Sequence, residues 1–289
     1  MTCRNIIEMF CNENVHNIIE KMGQGRFSDH YIGYLFDIFD SPEYRIFEGQ
    51  DCIQYLQEYV PLHLPQIEHV LSAVMRESSD LLNNPINIMD LGSGPATVPL
   101  AFCRLSKFNQ HRYKLKITTV EPSDGFNVMI NIFKATNANR SVEIVKTLKY
   151  KLFEDNFMND ESVFRIGYNW IIIANSISAI GRGRAFREVN DILGRFVVNV
   201  LRYSEKVILT IIESSSRKYF NISGYLSKIE NIGFNDLEII KTIVPINYEL
   251  QTKHEVKRYI KSSEVYKTHP GNPQYSPYIN SKSLLLELR

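Results

Sequence analysis

At 289 residues the chain is long enough for one large domain, or one domain with an appendage. Hydrophobic residues make up 44% of it and charged residues 22%, the balance of an ordinary globular protein. A net charge of +1 excludes a global field that would draw the protein onto nucleic acid or an anionic membrane.

The four cysteines, Cys3, Cys11, Cys52 and Cys103, form no CxxC pair, and no histidine stands at metal-ligand spacing from any of them. This pattern predicts free thiols in a reducing cytoplasm and no metal site. The opening residues carry Glu8, Asn12 and Glu13 among their apolar positions, unlike a signal peptide. No apolar run approaches the roughly 20 residues that span a bilayer. The expected location is cytoplasmic.

In chain order, residues 1–84 read as helical, with Ile6, Ile7, Phe10, Val15, Ile18, Ile19 and Met22 at three- and four-residue steps. A further helix is predicted through "QIEHVLSAVMRESSDLL", with Ile67, Val70, Leu71 and Val74 on one face and Pro61 and Pro65 marking its start. From residue 85 the rhythm becomes short apolar runs alternating with helical patterns. Strands are expected at 86–91, 115–121, 142–148, 169–176 and 206–214, and helices at 97–108, 123–136 and 185–203. A helix at 223–233, a strand within 234–246 and a last short strand in "SLLLELR" complete the pattern. Such alternation predicts an α/β fold with a parallel sheet covered by helices on both faces. Runs such as "WIII" and "VILTII" suit central strands buried on both sides.

Ligands of such sheets sit at the carboxyl ends of the strands. There, after the first strand, stands "DLGSGPAT" (90–97). A dinucleotide site wants a third small residue after G-x-G, but Thr97 occupies that place and Pro95 follows the second glycine directly. The first acid at a strand end, Glu121, lies 27 residues after Gly94, beyond the roughly 20 expected of a ribose acid. The turn instead resembles motif I of the class I S-adenosylmethionine-dependent methyltransferases, whose first strand ends D/E-x-G-x-G. The matching residues are Asp90, Gly92, Ser93, Gly94 and Pro95, followed by Glu121, Pro122 and Ser123 in "VEPS" at the second strand end.

The resemblance covers residues 86–289. It implies S-adenosylmethionine as cofactor and a Rossmann-like, seven-stranded, mostly parallel sheet with an antiparallel last strand. In it, bare glycines let the backbone approach the methionine part, and the Glu121 carboxylate, which Pro122 cannot engage by a backbone N–H, accepts from the ribose hydroxyls. A looser similarity joins "DLGSGP", "VEPS" and "IANSISAIG" to the ribosomal small-subunit methyltransferase-like family, although the cysteine metal ligands usual in that family have no counterpart here.

Methyl transfer from a sulfonium depends chiefly on aligning the acceptor, so few residue types announce the chemistry. The fourth-strand end offers Asn175 and Ser176 to the ligand crevice, with Asn175 able to orient an acceptor or the cofactor. His63 and His30, flanked by Tyr59 and Tyr31, are the candidate bases lining an entrance, whereas His69 reads as a surface or packing residue. "NPQY" at 272–275 looks like the Asn-Pro-Pro-Tyr motif of base amino-methyltransferases, but it follows no strand and reads as a turn. Segment 251–269 carries five Lys/Arg against two Glu, the composition of a solvated helix face.

The expected organisation is therefore a helical cap (1–84) and a methyltransferase domain (85–289), with an insertion at 247–282 closing over the substrate. The expected activity is methyl transfer to oxygen or nitrogen of a small molecule or peptide. RNA methylation is the enzymatic alternative, and a catalytically silent S-adenosylmethionine-binding scaffold the non-enzymatic one.

Overall fold

A computed structural model describes residues 60–77, 85–109, 113–176, 186–214, 239–243, 248–249 and 280–288, together with Arg4, Glu8 and Leu56. Strands β1 (Ile86–Leu91), β2 (Leu115–Val120), β3 (Val142–Leu148), β4 (Trp170–Ala174) and β5 (Val207–Ser214) lie parallel, in the order β3-β2-β1-β4-β5. Beyond β5 come β8 (Asn280–Leu288), antiparallel to it, and then β6 (Ile239–Ile243). Two residues, Tyr248–Glu249, form β7 against β8, so the sheet has eight strands among the described residues.

Alternation along the central strands divides the core in two. Ile86 and Ile88 of β1, Trp170 and Ile172 of β4, and Ile208 and Ile212 of β5 belong to one buried cluster. Met89 and Leu91, Ile171 and Ile173, and Leu209 and Ile211 belong to the other. This is the period-2 rule applied to strands with no solvent face.

Helices α1 (Val60–Glu77), α2 (Thr97–Asn109) and α3 (Asp124–Thr136) cover the first face, since Val60, Leu64, Ile67, Leu71 and Val74 recur at helical spacing within its cluster beside Leu100, Ala101, Met129 and Phe133. Helix α1 begins earlier than its pattern predicts and runs through both Pro61 and Pro65. A proline is tolerated in a first turn, and the one at 65 costs a single ladder bond. The buried stripe of α1 outweighs that loss. Arg104 of α2, almost wholly buried, pairs with Glu68 of α1 and ties the two helices together.

The second face is covered by two single-turn helices that the sequence pattern misses, α4 (Asp155–Met158) and α5 (Glu161–Phe164), and by α6 (Phe186–Leu201). Phe196 of α6 is fully buried and meets Phe153, Phe157 and Phe164 at ring-centroid distances of 5.5, 5.9 and 5.9 Å. No helix among the described residues is long and apolar enough to cross a membrane. The expected helix at 223–233, most of the 247–282 insertion and residues 1–50 apart from Arg4 and Glu8 lie outside the described residues.

Phe196→Ala should cost about 3–5 kcal/mol of folding stability, because truncation empties the centre of this aromatic cluster. Urea unfolding of the purified variant measures the loss.

Candidate functional site

Strand β1 is paired on both sides, Asp90 standing opposite Thr119 of β2 and Ile172 of β4. By alternation Asp90 shares the face of Ile86 and Ile88, the face covered by α1 and α2. At the carboxyl ends of β1 and β4 the chain leaves a cavity enclosing about 340 Å³ of empty space, part of it open to solvent.

The cavity gathers most of the residues expected from the sequence. Asp90, Gly92, Ser93, Gly94 and Pro95 line it from the β1 turn, and Asn175 and Ser176 from the end of β4. His63 reaches it from α1. Four lining residues carried no signal of their own: Ile67, one helical turn after His63, Thr97 and Val98 at the start of α2, and Ala174. Glu121, Pro122 and Ser123 do not line it. His30 lies outside the described residues, and His69 is exposed on α1. The described residues contain no cluster of three or more metal-ligating side chains.

The two glycines have different reasons. Gly92 has φ +70°, and a Cβ there would come within 2.8 Å of the Ser176 Cβ. Its bareness lets the β1 and β4 turns pack together, and the Ser176 hydroxyl donates to the Gly92 carbonyl at 3.3 Å and the Ala174 carbonyl at 3.2 Å. Gly94 has φ +52°, and a Cβ there would meet nothing within 4 Å. Only at Gly94 does bareness leave room for a ligand. Asn175 is left-handed too, with φ 55°, a conformation asparagine tolerates better than most residues.

The turn also consumes its own donors. The amides of Gly92 and Ser93 bond the Val120 carbonyl at 2.9 and 3.2 Å, and those of Ala96 and Thr97 bond the Ser93 carbonyl at 3.1 and 3.4 Å. The Gly94 amide donates to Glu121 Oε2 at 2.9 Å. Pro95 has none to give. A pyrophosphate cradled by backbone N–H groups, as dinucleotide sites require, therefore finds no donors between residues 92 and 97.

Glu121 departs from the expectation that its carboxylate stands free. Pro122 supplies no amide, but Ser123 donates to Oε1 at 2.9 Å while Gly94 holds Oε2. The carboxylate clamps the β1 turn to the β2 turn. Capping of α3 falls to Ser123, whose hydroxyl accepts from the Phe126 amide. Burial pushes the Glu121 carboxyl up to about 7, against the pull of the Ser123 and Gly94 amides.

Asp90 is the anomaly. It is fully buried, and neither carboxylate oxygen has a hydrogen-bond partner. The nearby Ser93 hydroxyl gives its proton to the Asp90 backbone carbonyl at 2.9 Å instead. Burial drives the Asp90 carboxyl up to about 7, Ser93 opposing the rise and the Glu121 charge adding to it. Burial acts the other way on His63, lowering its imidazole to about 4 and keeping it neutral near pH 7.

Comparison with solved structures returns methyltransferases. A magnesium protoporphyrin IX methyltransferase from Synechocystis PCC 6803 with bound SAM is 11% identical, with a TM-score of 0.41 over 89% of this chain and 93% of that one. A putative sarcosine dimethylglycine methyltransferase from Galdieria sulphuraria is 13% identical, with a TM-score of 0.41 over 90% and 98%. The plantazolicin methyltransferase in complex with a substrate analogue and SAH is 10% identical, with a TM-score of 0.44 over 95% and 99%. No protein-family model and no curated protein sequence matches the chain.

Two predictions follow from the geometry. Gly92→Ala should destabilise the fold and be partly rescued by Ser176→Gly, which removes the opposing side chain. Gly94→Ala should cost only the backbone strain of about 1–2 kcal/mol. Thermal melts of the three proteins test this pattern.

The second prediction concerns pH. The Asp90 carboxyl is raised in the fold from 3.8 to about 7, so its contribution is fully present below about pH 4 and is lost as pH rises through 7. Asp90→Asn should therefore leave stability nearly unchanged at pH 4 and increase it at pH 8. Urea midpoints at the two pH values read the difference.

Proposed function

We propose that this protein is a class I S-adenosylmethionine-dependent methyltransferase acting on oxygen or nitrogen of a small molecule or peptide. The observation that carries the reading is Asp90, a buried carboxylate with both oxygens unpartnered, facing a cavity whose turn amides are already bonded. Such a site repels phosphate and attracts a cation. S-adenosylmethionine brings an ammonium and a sulfonium, so its charge suits this site where a dinucleotide's does not. The strand order, with β8 reversed beside β5, supports the same reading as a seven-stranded sheet to which Tyr248–Glu249 is a short side pairing.

The residues fit the cofactor at its methionine end. Asp90 would take the ammonium, and the open space over Gly94 would admit the chain beside it. Each Glu121 oxygen has one N–H bonded and further acceptor capacity, so the ribose hydroxyls would share this carboxylate with the turn it braces. The bound group supplies an electrophilic methyl on a positively charged sulfur. The protein's part is to seat the acceptor in line with it. Asn175, which lines the cavity at the end of β4, would orient that acceptor through its amide. Residues 1–84 and 247–282 would form the cap and lid over the acceptor, with His30 within the cap. The buried, unoxidised thiol of Cys103 suits a reducing cytoplasm.

Methyl-labelled S-adenosylmethionine, incubated with the protein and fractionated cell extract, should transfer label to a small-molecule or peptide fraction. Asp90→Asn should weaken cofactor binding about ten- to a hundredfold, the worth of one charged hydrogen bond, while its stability above pH 7 rises. Wild-type affinity in that variant would remove Asp90 from the binding site. Tight binding with no labelled product from any fraction would make the protein a silent binder.

A further inference from the structure

Two titratable side chains line the cavity, Asp90 from the sheet and His63 from α1. Asp90 accounts for a cationic group. A ligand that also carries an anionic group faces a difficulty, because the donors that strand–turn–helix sites usually offer an anion are committed. The amides of residues 92, 93, 94, 96 and 97 have partners, and residue 95 is proline. The titratable side chain of the lining that can meet an anion comes from another element, α1.

We infer that His63 is that donor: delivered by α1, it holds the carboxylate of the ligand's amino-acid end, while Asp90 holds the ammonium. The inference rests on the methyltransferase reading and names the residue that would fix the orientation of the cofactor's amino-acid end.

The geometry supports it in three ways. His63 lies on the face of α1 that closes over the sheet, because Ile67, one turn on, both lines the cavity and packs into the core. The Glu68–Arg104 pair fixes that face against α2, so the imidazole is presented by a pinned helix. An imidazole carries an N–H donor in either protonation state. A carboxylate placed beside it favours its charged form, which reverses the effect of burial. A zwitterionic head group thus meets an acid on the sheet and an imidazole on α1 at once, where a singly charged ligand meets only one of them.

Calorimetric titration with three probes isolates the role without a methyl acceptor: S-adenosylhomocysteine, which has both charged groups, its decarboxylated analogue, which keeps only the ammonium, and 5′-methylthioadenosine, which has neither. Wild-type protein should bind S-adenosylhomocysteine more tightly than the decarboxylated analogue. His63→Leu should weaken S-adenosylhomocysteine about ten- to a hundredfold and leave the other two within about twofold. His63→Gln, which keeps a donor, should recover part of the loss. Equal binding of all three probes by wild type and His63→Leu would overturn the inference, as would an equal loss for all three, which marks a packing role. If S-adenosylhomocysteine binds tightly but the carboxylate brings no advantage in the wild type, only the inference fails. If wild type binds none of the probes, the methyltransferase reading fails with it.

Discussion

A carboxylate held out of water without a hydrogen-bond donor is costly, and the arrangement around the cavity depends on Asp90 being kept that way. Its strand is paired on both edges, α1 and α2 close over its face, and the adjacent serine spends its proton on the backbone. Neither of its carboxylate oxygens accepts a hydrogen bond. Native proteins leave few buried polar atoms unpaired, and those that remain call for an explanation. Under the proposed function the explanation is a ligand cation, which would turn that instability into affinity.

Glu121 is the counterweight. It is also buried and also raised, but each oxygen receives an amide, and the two amides come from different turns. Two acids at the carboxyl ends of neighbouring strands thus divide the work. One braces the turns against each other, and the other is left unpaired over the cavity. Burial raises the hold of each on a proton, and at Asp90 the Glu121 charge adds to it.

Much of this was legible in the sequence because it depends on local pattern. The bounds of β1 and β3 coincide with the runs that announced them, because each carries β-branched and apolar residues at the positions it buries. The glycine turn announced a site, and His63, Asp90, Asn175 and Ser176 do converge on it. The rest depends on three-dimensional pairing. No spacing rule says that the Gly94 amide turns to Glu121, so the carboxylate read as free is a clamp. Likewise "GSG" suggests two glycines with one purpose, whereas Gly92 accommodates Ser176 and Gly94 faces open space, a distinction made by a residue 84 positions away. The short helices α4 and α5 escaped notice because four residues are too few to show a period.

The core on the α1 face joins residues as distant as Leu56 and Ile212. During synthesis, α1 leaves the ribosome well before β4 and β5 exist to receive it. Its apolar stripe, and the paired Glu68 whose partner lies 36 residues on, must wait exposed for a sheet not yet made. The cavity closes only when the fourth strand has paired with the first, because its lining spans His63 to Ser176. Such long-range pairing is slow and leaves nascent chains prone to association. A nascent chain halted before β4 would lack Trp170 and Ile172 of the α1 core and the Ala174–Ser176 side of the cavity.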